Sequence, residues 1–106
     1  MTNAGAIKNM KRHDFQWLQK WYQLHCNGDW EHGSGVLIET LDNPGWSLTI
    51  DLLDTELEHK KFKELKKDTS EEDWYFCTVK DQKFEGRCGA ANLPEVFQIF
   101  RSWAES

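Results

Sequence analysis

The sequence has few cysteines, no long apolar run and no surplus of basic residues. Its three cysteines, Cys26, Cys77 and Cys88, are odd in number and not closely paired, which argues against the disulfide framework of a small secreted protein. No apolar run approaches the ~20 residues that span a bilayer, and the first residues lack the apolar core of a signal peptide. A net charge of −5 disfavours nucleic acid or an anionic membrane as the main partner. We therefore expect a cytoplasmic protein whose partner is a basic protein.

One internal stretch lacks basic residues altogether. From Glu31 to Glu58 the chain has no lysine or arginine, and this stretch carries −7 while all 106 residues together carry −5. Because no basic residue nearby in sequence neutralises the charge, we expect an acidic surface here, with ordinary solvated faces as the alternative. The acidic residues of the stretch are Glu31, Glu39, Asp42, Asp51, Asp54, Glu56 and Glu58.

Aromatic side chains, in contrast, are abundant. The chain has six tryptophans, six phenylalanines and two tyrosines, which supply large apolar bodies for a core. A chain of this length buries about 65% of its unfolded surface, enough for one core without disulfides or metals. We expect a single domain over residues 1–106, in which the small and polar residues 1–12 form a loose lead-in.

Two segments have the apolar periodicity of amphipathic helices. The first starts with Asp14 as its N-cap and runs to about Cys26, where Asn27 and Gly28 end it. Its apolar residues form a broad face: Phe15, Trp17, Leu18, Trp21, Tyr22, Leu24 and Cys26. The second starts at Asn92, with Glu95 at the spacing of a capping box. Its predicted buried stripe consists of Leu93, Val96, Phe97, Phe100 and Trp103.

Between these helices the pattern changes to the period of two that is typical of strands. Residues 36–41 and 46–52 predict a hairpin. If the apolar residues of both strands share one face, the numbers of paired residues must add to an even sum, and this favours a three-residue loop made of Asn43, Pro44 and Gly45. Residues 74–80 and 83–88 predict a second hairpin, joined at residues 81–82. One face of the first hairpin should be buried through Val36, Ile38, Leu48, Ile50 and Leu52. The other face should carry Leu37, Glu39, Leu41, Ser47, Thr49 and Asp51.

The predicted fold is α+β: a helix, a four-stranded antiparallel sheet and a second helix, with both helices packed on one sheet face. The charged segment from residue 54 to residue 67 is left open, because three apolar residues fit a short helix or an extended crossing equally well. No internal repeat or low-complexity linker interrupts this order.

The chain offers little catalytic chemistry. A small hydrolase could use Glu31 or Asp51 as a base together with His32, if the fold brought them into one pocket. There is no CxxC or HExxH motif and no pair of histidines one helical turn apart, so we expect neither a metal site nor a cofactor. A small-ligand-binding module is the other alternative, and it requires an aromatic pocket. Three tryptophans at the ends of predicted elements could serve an interface or cap the core: Trp30, Trp46 and Trp74.

Two segments of the sequence are distinctive, and one of them is the final helical segment NLPEVFQIFRSW. The more specific one is the motif made of Trp30, Glu31, His32, Gly33, Gly35, Ile38, Thr40, Leu41, Asp42, Asn43, Pro44, Gly45 and Trp46. Through these segments the chain resembles, from about Phe15 to Trp103, the immunity protein 53 family of bacterial polymorphic toxin systems. The resemblance implies a small non-enzymatic α+β protein that binds a toxin encoded beside it and prevents self-killing.

An acidic surface suits a basic toxin such as a nuclease domain, because opposite charge steers the encounter of the two proteins. The residues that we expect to contact the toxin are Glu31, Glu39, Asp42, Trp46, Thr49, Asp51 and Asp54. The competing interpretation is that Asp42, Asn43 and Gly45 only build the turn while Trp46 covers the edge of the core.

Overall fold

The computed structural model describes residues 13–106, so the lead-in predicted for residues 1–12 lies outside the described part. Two helices and five strands make up the regular structure of these residues. In chain order they are α1 (His13–His25), a 3-10 turn (Trp30–His32), β1 (Val36–Leu41), β2 (Gly45–Asp51), β3 (Leu65–Asp68), β4 (Trp74–Lys80), β5 (Lys83–Cys88) and α2 (Leu93–Glu105). The α+β class is confirmed, and the sheet has one strand more than predicted.

All neighbouring strands are antiparallel, in the order β1-β2-β5-β4-β3, so β1 and β3 form the two edges of the sheet. Both predicted hairpins are confirmed. The second has the predicted bounds, and its connecting residues Asp81 and Gln82 have φ angles of 53° and 61°. Positive φ at both central residues is the geometry of a type I′ turn, which matches the twist of the flanking strands.

The prediction of four strands is wrong because β3 does not have the apolar alternation of a buried strand. Its sequence is LKKD, and Leu65 is 40% exposed. Lys67 points to the same side as the helices, where its Nζ lies 2.9 Å from Asp73 Oδ1 and 3.1 Å from Glu95 Oε2. The segment left open at residues 54–67 begins with a series of turns over residues 53–59 and, after an irregular stretch, enters this strand at Leu65. A strand of four residues that includes two lysines is typical of the edge of a sheet, where charge prevents pairing with another chain.

In the first hairpin the numbers of paired residues add to an even sum, as predicted, but the loop consists of different residues. Val36 pairs with Ile50 and Leu41 pairs with Gly45, so the loop is Asp42–Pro44 and not Asn43–Gly45. The Asn43–Pro44 peptide bond is cis. Gly45 belongs to β2, where its backbone passes so close to β5 that a Cβ atom would lie 2.2 Å from the carbonyl oxygen of Cys88. The glycine is therefore needed for strand packing.

The N-cap predicted for the first helix is wrong. Asp14 lies inside α1 and is buried, and its Oδ1 is 3.2 Å from Nη1 of Arg101 on α2. The buried carboxylate of Asp14 is thus paired with the guanidinium of Arg101, and a buried charge needs such a partner. At the other end, Gly28 has a φ of +89° and the Asn27 side chain accepts hydrogen bonds from two backbone N–H groups, as expected for residues that end a helix.

The capping box predicted for the second helix is also wrong, although Asn92 is the N-cap residue. The Asn92 side chain makes no capping hydrogen bond. Instead its amide donates to Asp73 Oδ1 at 2.9 Å and to Glu95 Oε1, while its carbonyl oxygen accepts from the backbone N–H of Trp74 at 3.3 Å. Asn92 thus joins the start of α2 to the turn before β4.

Both helices pack on one face of the sheet, as predicted, and we call this the inner face. It carries Leu48, Ile50 and Phe84, each fully buried. Phe100 of α2 packs against Phe84 with ring centroids 5.1 Å apart and against Trp21 of α1 at 5.3 Å. The predicted stripe of α2 is buried through Val96, Phe100 and Trp103, with Leu93 and Phe97 packed beside it.

The predicted apolar face of α1 is only partly used by this core. Leu18 and Trp21 are buried, whereas Phe15 is 51% exposed, Tyr22 36% and Leu24 81%. The opposite side of the sheet, which we call the outer face, carries no helix within residues 13–106. Neither α1 nor α2 is long and apolar enough to cross a membrane.

Candidate partner-binding surface

Three of the predicted contact residues lie together on the outer face. Glu39 is exposed, and Thr49 and Asp51 are half-buried on the neighbouring strand β2. Leu37, 48% exposed, stands directly opposite Thr49. On the other side of β2, Asp51 pairs with Lys83 of β5, so a basic residue borders the acids there. The outer face of the first hairpin is thus an open surface of mixed apolar and acidic character.

The acidic residues of the segment do not form one patch, because the hairpin separates them. Asp42 lies in the turn, whereas Asp51 lies at the opposite end of β2. Seven residues of extended strand span about 20 Å, so the two carboxylates mark opposite ends of the sheet. At the turn end, Pro44 lines a small pocket of about 120 Å³ with Glu71 and Glu72, which belong to a different acidic run.

At the other end of the hairpin, Glu31 and Asp51 accept hydrogen bonds from loop backbone, and Asp54 lies in the turn that follows β2. The Glu31 carboxylate accepts hydrogen bonds from the N–H groups of Asn27 at 2.8 Å and Gly28 at 2.7 Å. Hydrogen bonds from its own backbone N–H, then from these two, lower the pKa of Glu31. Asp51 Oδ1 accepts the N–H of Leu53 at 3.0 Å, and Asp54 adopts a φ of 65°. These acids therefore shape the loops while adding negative charge to that end.

Trp46 is separated from the acids of the outer face. It lies on the inner side of β2, opposite Thr40 and Cys88, and is half-buried at the margin of the core. Its indole Nε1 donates to the carbonyl oxygen of Ala90 at 3.0 Å. This is the geometry expected of a residue that covers the core edge, the role given to Trp46 by the competing interpretation.

The alternative hydrolytic residues are not grouped in a pocket. Glu31 is engaged by backbone N–H groups, His32 is exposed in the 3-10 turn, and Asp51 lies on β2. None of the three lines any of the grooves and pockets described here. Residues 13–106 contain no group of three or more His, Cys, Asp or Glu side chains placed to hold a metal ion.

All three cysteines are free thiols, and two of them have low reactivity. Burial raises the pKa of Cys77 to about 12 and that of Cys88 to about 11, so both thiols remain protonated at neutral pH. Because the thiolate is the reactive form, these two side chains act as small buried apolar groups, whereas Cys26 is exposed.

Two apolar grooves, which the sequence did not reveal, run along the two edges of the sheet. The first lies between α1 and β1, has a volume of about 220 Å³, and is lined by Phe15, Leu18, Gln19, Tyr22, Val36 and Ile38. The second lies between α2 and the start of β3 and has a volume of about 460 Å³. The exposed apolar residues of α1 are the signal that could have indicated the first groove.

A cluster around Glu56 was also missed, because its members are distant in sequence. Trp21 Nε1 donates to Glu56 Oε2 at 2.9 Å, and His25 Nε2 lies 2.6 Å from Glu56 Oε1. Burial acts to raise the pKa of Glu56, but hydrogen bonds from Trp21, from its own N–H and from His25 outweigh this and lower it. The carboxylate fixes the end of α1 to the turns that follow β2.

This cluster predicts a specific dependence of stability on pH. A carboxyl group whose pKa is lowered by folding stabilises the protein above its ordinary pKa of 4.5, and the contribution is lost as pH falls through the lower folded value. We expect Glu56→Gln to lose less free energy of unfolding than the wild type between about pH 5 and pH 3. Urea denaturation across this range measures the difference, with Glu71→Gln as an exposed control. Parallel curves for the wild type and Glu56→Gln would contradict the assignment.

The described residues thus define a small α+β protein whose distinctive features are surfaces: the exposed outer face of the first hairpin, with Leu37, Glu39 and Asp51, and the apolar grooves at the edges of the sheet. The sequence profile described as immunity protein 53 matches residues 15–105, which is nearly the whole chain. The chain belongs to this family, and the resemblance drawn from its hairpin motif is confirmed. Comparison with curated proteins gives no match, and comparison with solved structures gives none either.

Proposed function

We propose that the protein binds a cognate toxin domain in the cytoplasm of the bacterium that makes the toxin, and that it neutralises the toxin by occupying part of its surface. The family match over residues 15–105 carries this proposal, since neutralisation of a toxin is what an immunity protein does. Such a role needs a rigid complementary surface and no catalytic group. Glu31, His32 and Asp51 line none of the grooves and pockets described above, which favours this function over hydrolysis.

The charge of the chain supports a basic partner, and we propose a nuclease domain as the toxin. A net charge of −5, with no lysine or arginine from residue 31 to residue 58, attracts a positively charged surface. Electrostatic steering of this kind raises association rates by about 10- to 1000-fold at low salt. A nuclease domain has such a surface because it binds a polyanion.

The outer face of the first hairpin is the surface that we assign to the toxin. Glu39, Thr49 and Asp51 form its centre, and Leu37 adds an exposed apolar side chain. Of the other predicted contacts, Glu31 and Asp54 lie at one end of the sheet and Asp42 lies at the other. Trp46 is close to the Asp42 turn but lies on the inner side of β2. A specific interface buries roughly 1,200–2,000 Å² in total, which is enough to reach both ends.

Protection in cells tests the proposed function. Bacteria that express the toxin domain encoded beside this chain should grow only when they also express the chain, because the complex removes active toxin. A toxin domain from an unrelated system serves as the control, and the chain should not protect against it. Equal killing by the cognate toxin with and without the chain would contradict the proposal.

Charge reversal at Glu39 tests the assigned surface. Glu39→Lys replaces an exposed carboxylate, so the fold should tolerate it, and we expect the association rate with the toxin to fall by about 10-fold or more at low salt. The difference should shrink as ionic strength rises, because salt screens exposed charges. Stopped-flow binding at several salt concentrations measures both effects.

Asp68→Lys is the matched control for this substitution. Asp68 is exposed on the outer face at the opposite edge of the sheet, so its reversal changes the net charge equally at a different place. Its association rate should stay near that of the wild type. Equal rates and equal salt dependence for Glu39→Lys and Asp68→Lys would remove Glu39 from the interface.

A further inference from the structure

The edge strand β1 has backbone groups that face away from the sheet. The N–H of Asp51 donates to the carbonyl oxygen of Gly35 at 2.8 Å, which makes this a hydrogen-bonded pair. Hydrogen-bonded and non-hydrogen-bonded pairs alternate along an antiparallel ladder. The N–H and C=O groups of Val36, Ile38 and Thr40 therefore point to the open side of β1, where residues 13–106 place no strand.

The two edges of the sheet are protected differently. β3 has four residues, two of them lysines, and short charged strands resist pairing with another chain. β1 has six residues, VLIETL, with no lysine and no proline, and Leu37 and Ile38 are 48% and 36% exposed. By the same physical criterion, β1 is the edge that is available for pairing.

The groove between α1 and β1 provides a place for side chains of an added strand. A strand paired with β1 would direct alternate side chains to the inner side of the sheet, beside Ile38. There they would meet the exposed rings of Phe15 and Tyr22, in a groove of about 220 Å³ with an almost wholly apolar lining. The intervening side chains would lie on the outer face beside Glu39.

We propose that β1 accepts an added strand from the toxin domain, with apolar side chains in the groove and a lysine or arginine beside Glu39. The mode is strand addition, in which main-chain hydrogen bonds give affinity and alternate side-chain sites give specificity. This assignment rests on the proposed function. Charge complementarity selects the toxin over a second copy, because β1 and β2 contain no basic residue and a second β1 would bring another Glu39.

Proline at position 40 tests the assignment with little effect on the fold. The N–H of Thr40 faces the open edge, so Thr40→Pro leaves the β1–β2 ladder intact but removes a donor and obstructs an added strand. We expect its affinity for the toxin domain to fall by about 10-fold or more. Lys66→Pro is the matched control, since Lys66 likewise faces the open side of the other edge strand, and its affinity should be unchanged.

Hydrogen exchange of the wild-type complex gives a second readout that needs no substitution. The amides of Ile38 and Thr40 should exchange at least about 10-fold more slowly in the complex than in the free protein, because strand addition engages them. Normal affinity of Thr40→Pro, or unchanged exchange at these amides, would overturn the edge assignment and leave the proposed function standing. Failure of the wild type to bind the toxin at all would overturn both.

Other occupants of the edge give different results. Protection of the same amides without toxin, rising with protein concentration together with a dimer in analytical ultracentrifugation, would show a second copy and overturn the toxin assignment. Protection in the free monomer that disappears when residues 1–12 are removed would show that the chain occupies its own edge, and it would overturn the assignment as well.

Discussion

Replacing Gly45 with alanine is expected to lower the free energy of unfolding by about 3 kcal/mol and the melting temperature by roughly 10–15 °C. The added Cβ would lie 2.2 Å from the carbonyl oxygen of Cys88 and 3.4 Å from its carbonyl carbon. Both atoms belong to the backbone of β5, so no side-chain rotation relieves the overlap. The hairpin must move away from β5, which disturbs hydrogen bonds in the middle of the sheet.

Gly28→Ala is the control for this substitution. Gly28 has a φ of +89° and no heavy atom within 4 Å of the position of a Cβ, so alanine there has a conformational cost of about 1 kcal/mol but no overlap. Thermal unfolding followed by circular dichroism compares the two variants. A melting temperature for Gly45→Ala at or above that of Gly28→Ala would show that the close approach to β5 is not needed.

Gly86→Ala is expected to destabilise the protein by about 2–3 kcal/mol, for a reason that a second substitution can relieve. The new Cβ would lie 2.5 Å from Cγ1 of Val96 and 3.2 Å from Cε2 of Phe84. Val96 belongs to α2 and is fully buried, so α2 is held against β5 at the one place where the strand has no side chain. The helix must shift outwards when alanine is introduced.

The double variant Gly86→Ala/Val96→Ala tests this explanation. Val96→Ala alone should cost about 2 kcal/mol because it leaves a cavity, but in the double variant it also makes room for the new Cβ. We expect the double variant to be more stable than the sum of the single effects by about 1 kcal/mol or more. Strict additivity in urea denaturation would show that Val96 does not limit the space at Gly86.

These two glycines show which part of the fold could be predicted from the sequence. The strands around them were found by alternation, and β4 and β5 have the predicted bounds, since each has buried apolar residues on one face. The alternation also predicted correctly which residues of the first hairpin share a face. It could not fix the loop, because the position of Gly45 depends on contact with β5, which is more than 40 residues away in sequence.

The strand β3 was missed, and the capping roles of Asp14 and Asn92 were mispredicted, for related reasons. Lys67 lies on the inner face, where Asp73 and Glu95 are within 3.1 Å of its Nζ, and nothing local in LKKD indicates these partners. Asp14 has the residue type of an N-cap, but Arg101 on the other helix determines its role. Local propensity was overridden by tertiary contacts in each case.

The candidate surface was predicted by composition and corrected by geometry. Consecutive acids in sequence suggested one patch, but the hairpin sends Asp42 and Asp51 to opposite ends of the sheet. The alternation of β2 likewise separates Trp46 from Thr49. The groove beside β1 could not be predicted, because it exists only where α1 and β1 meet.

Several residues of the family motif make contacts that stabilise the fold. Glu31 holds the loop after α1, Gly45 allows β2 to approach β5, and Trp46 donates to Ala90 at the core edge. We therefore propose that recognition of a particular toxin depends on less distinctive neighbours such as Leu37 and Glu39, which are exposed on β1.

Titration of the purified cognate toxin domain with this protein, followed by toxin activity and by calorimetry, distinguishes neutralisation by binding from other modes of action. Neutralisation by binding predicts that activity falls linearly and disappears at one equivalent, with a matching heat of binding and with active toxin recovered after the complex is dissociated. Inactivation by much less than one equivalent would indicate an enzyme. Full toxin activity in the presence of excess protein, with no heat of binding, would contradict the account.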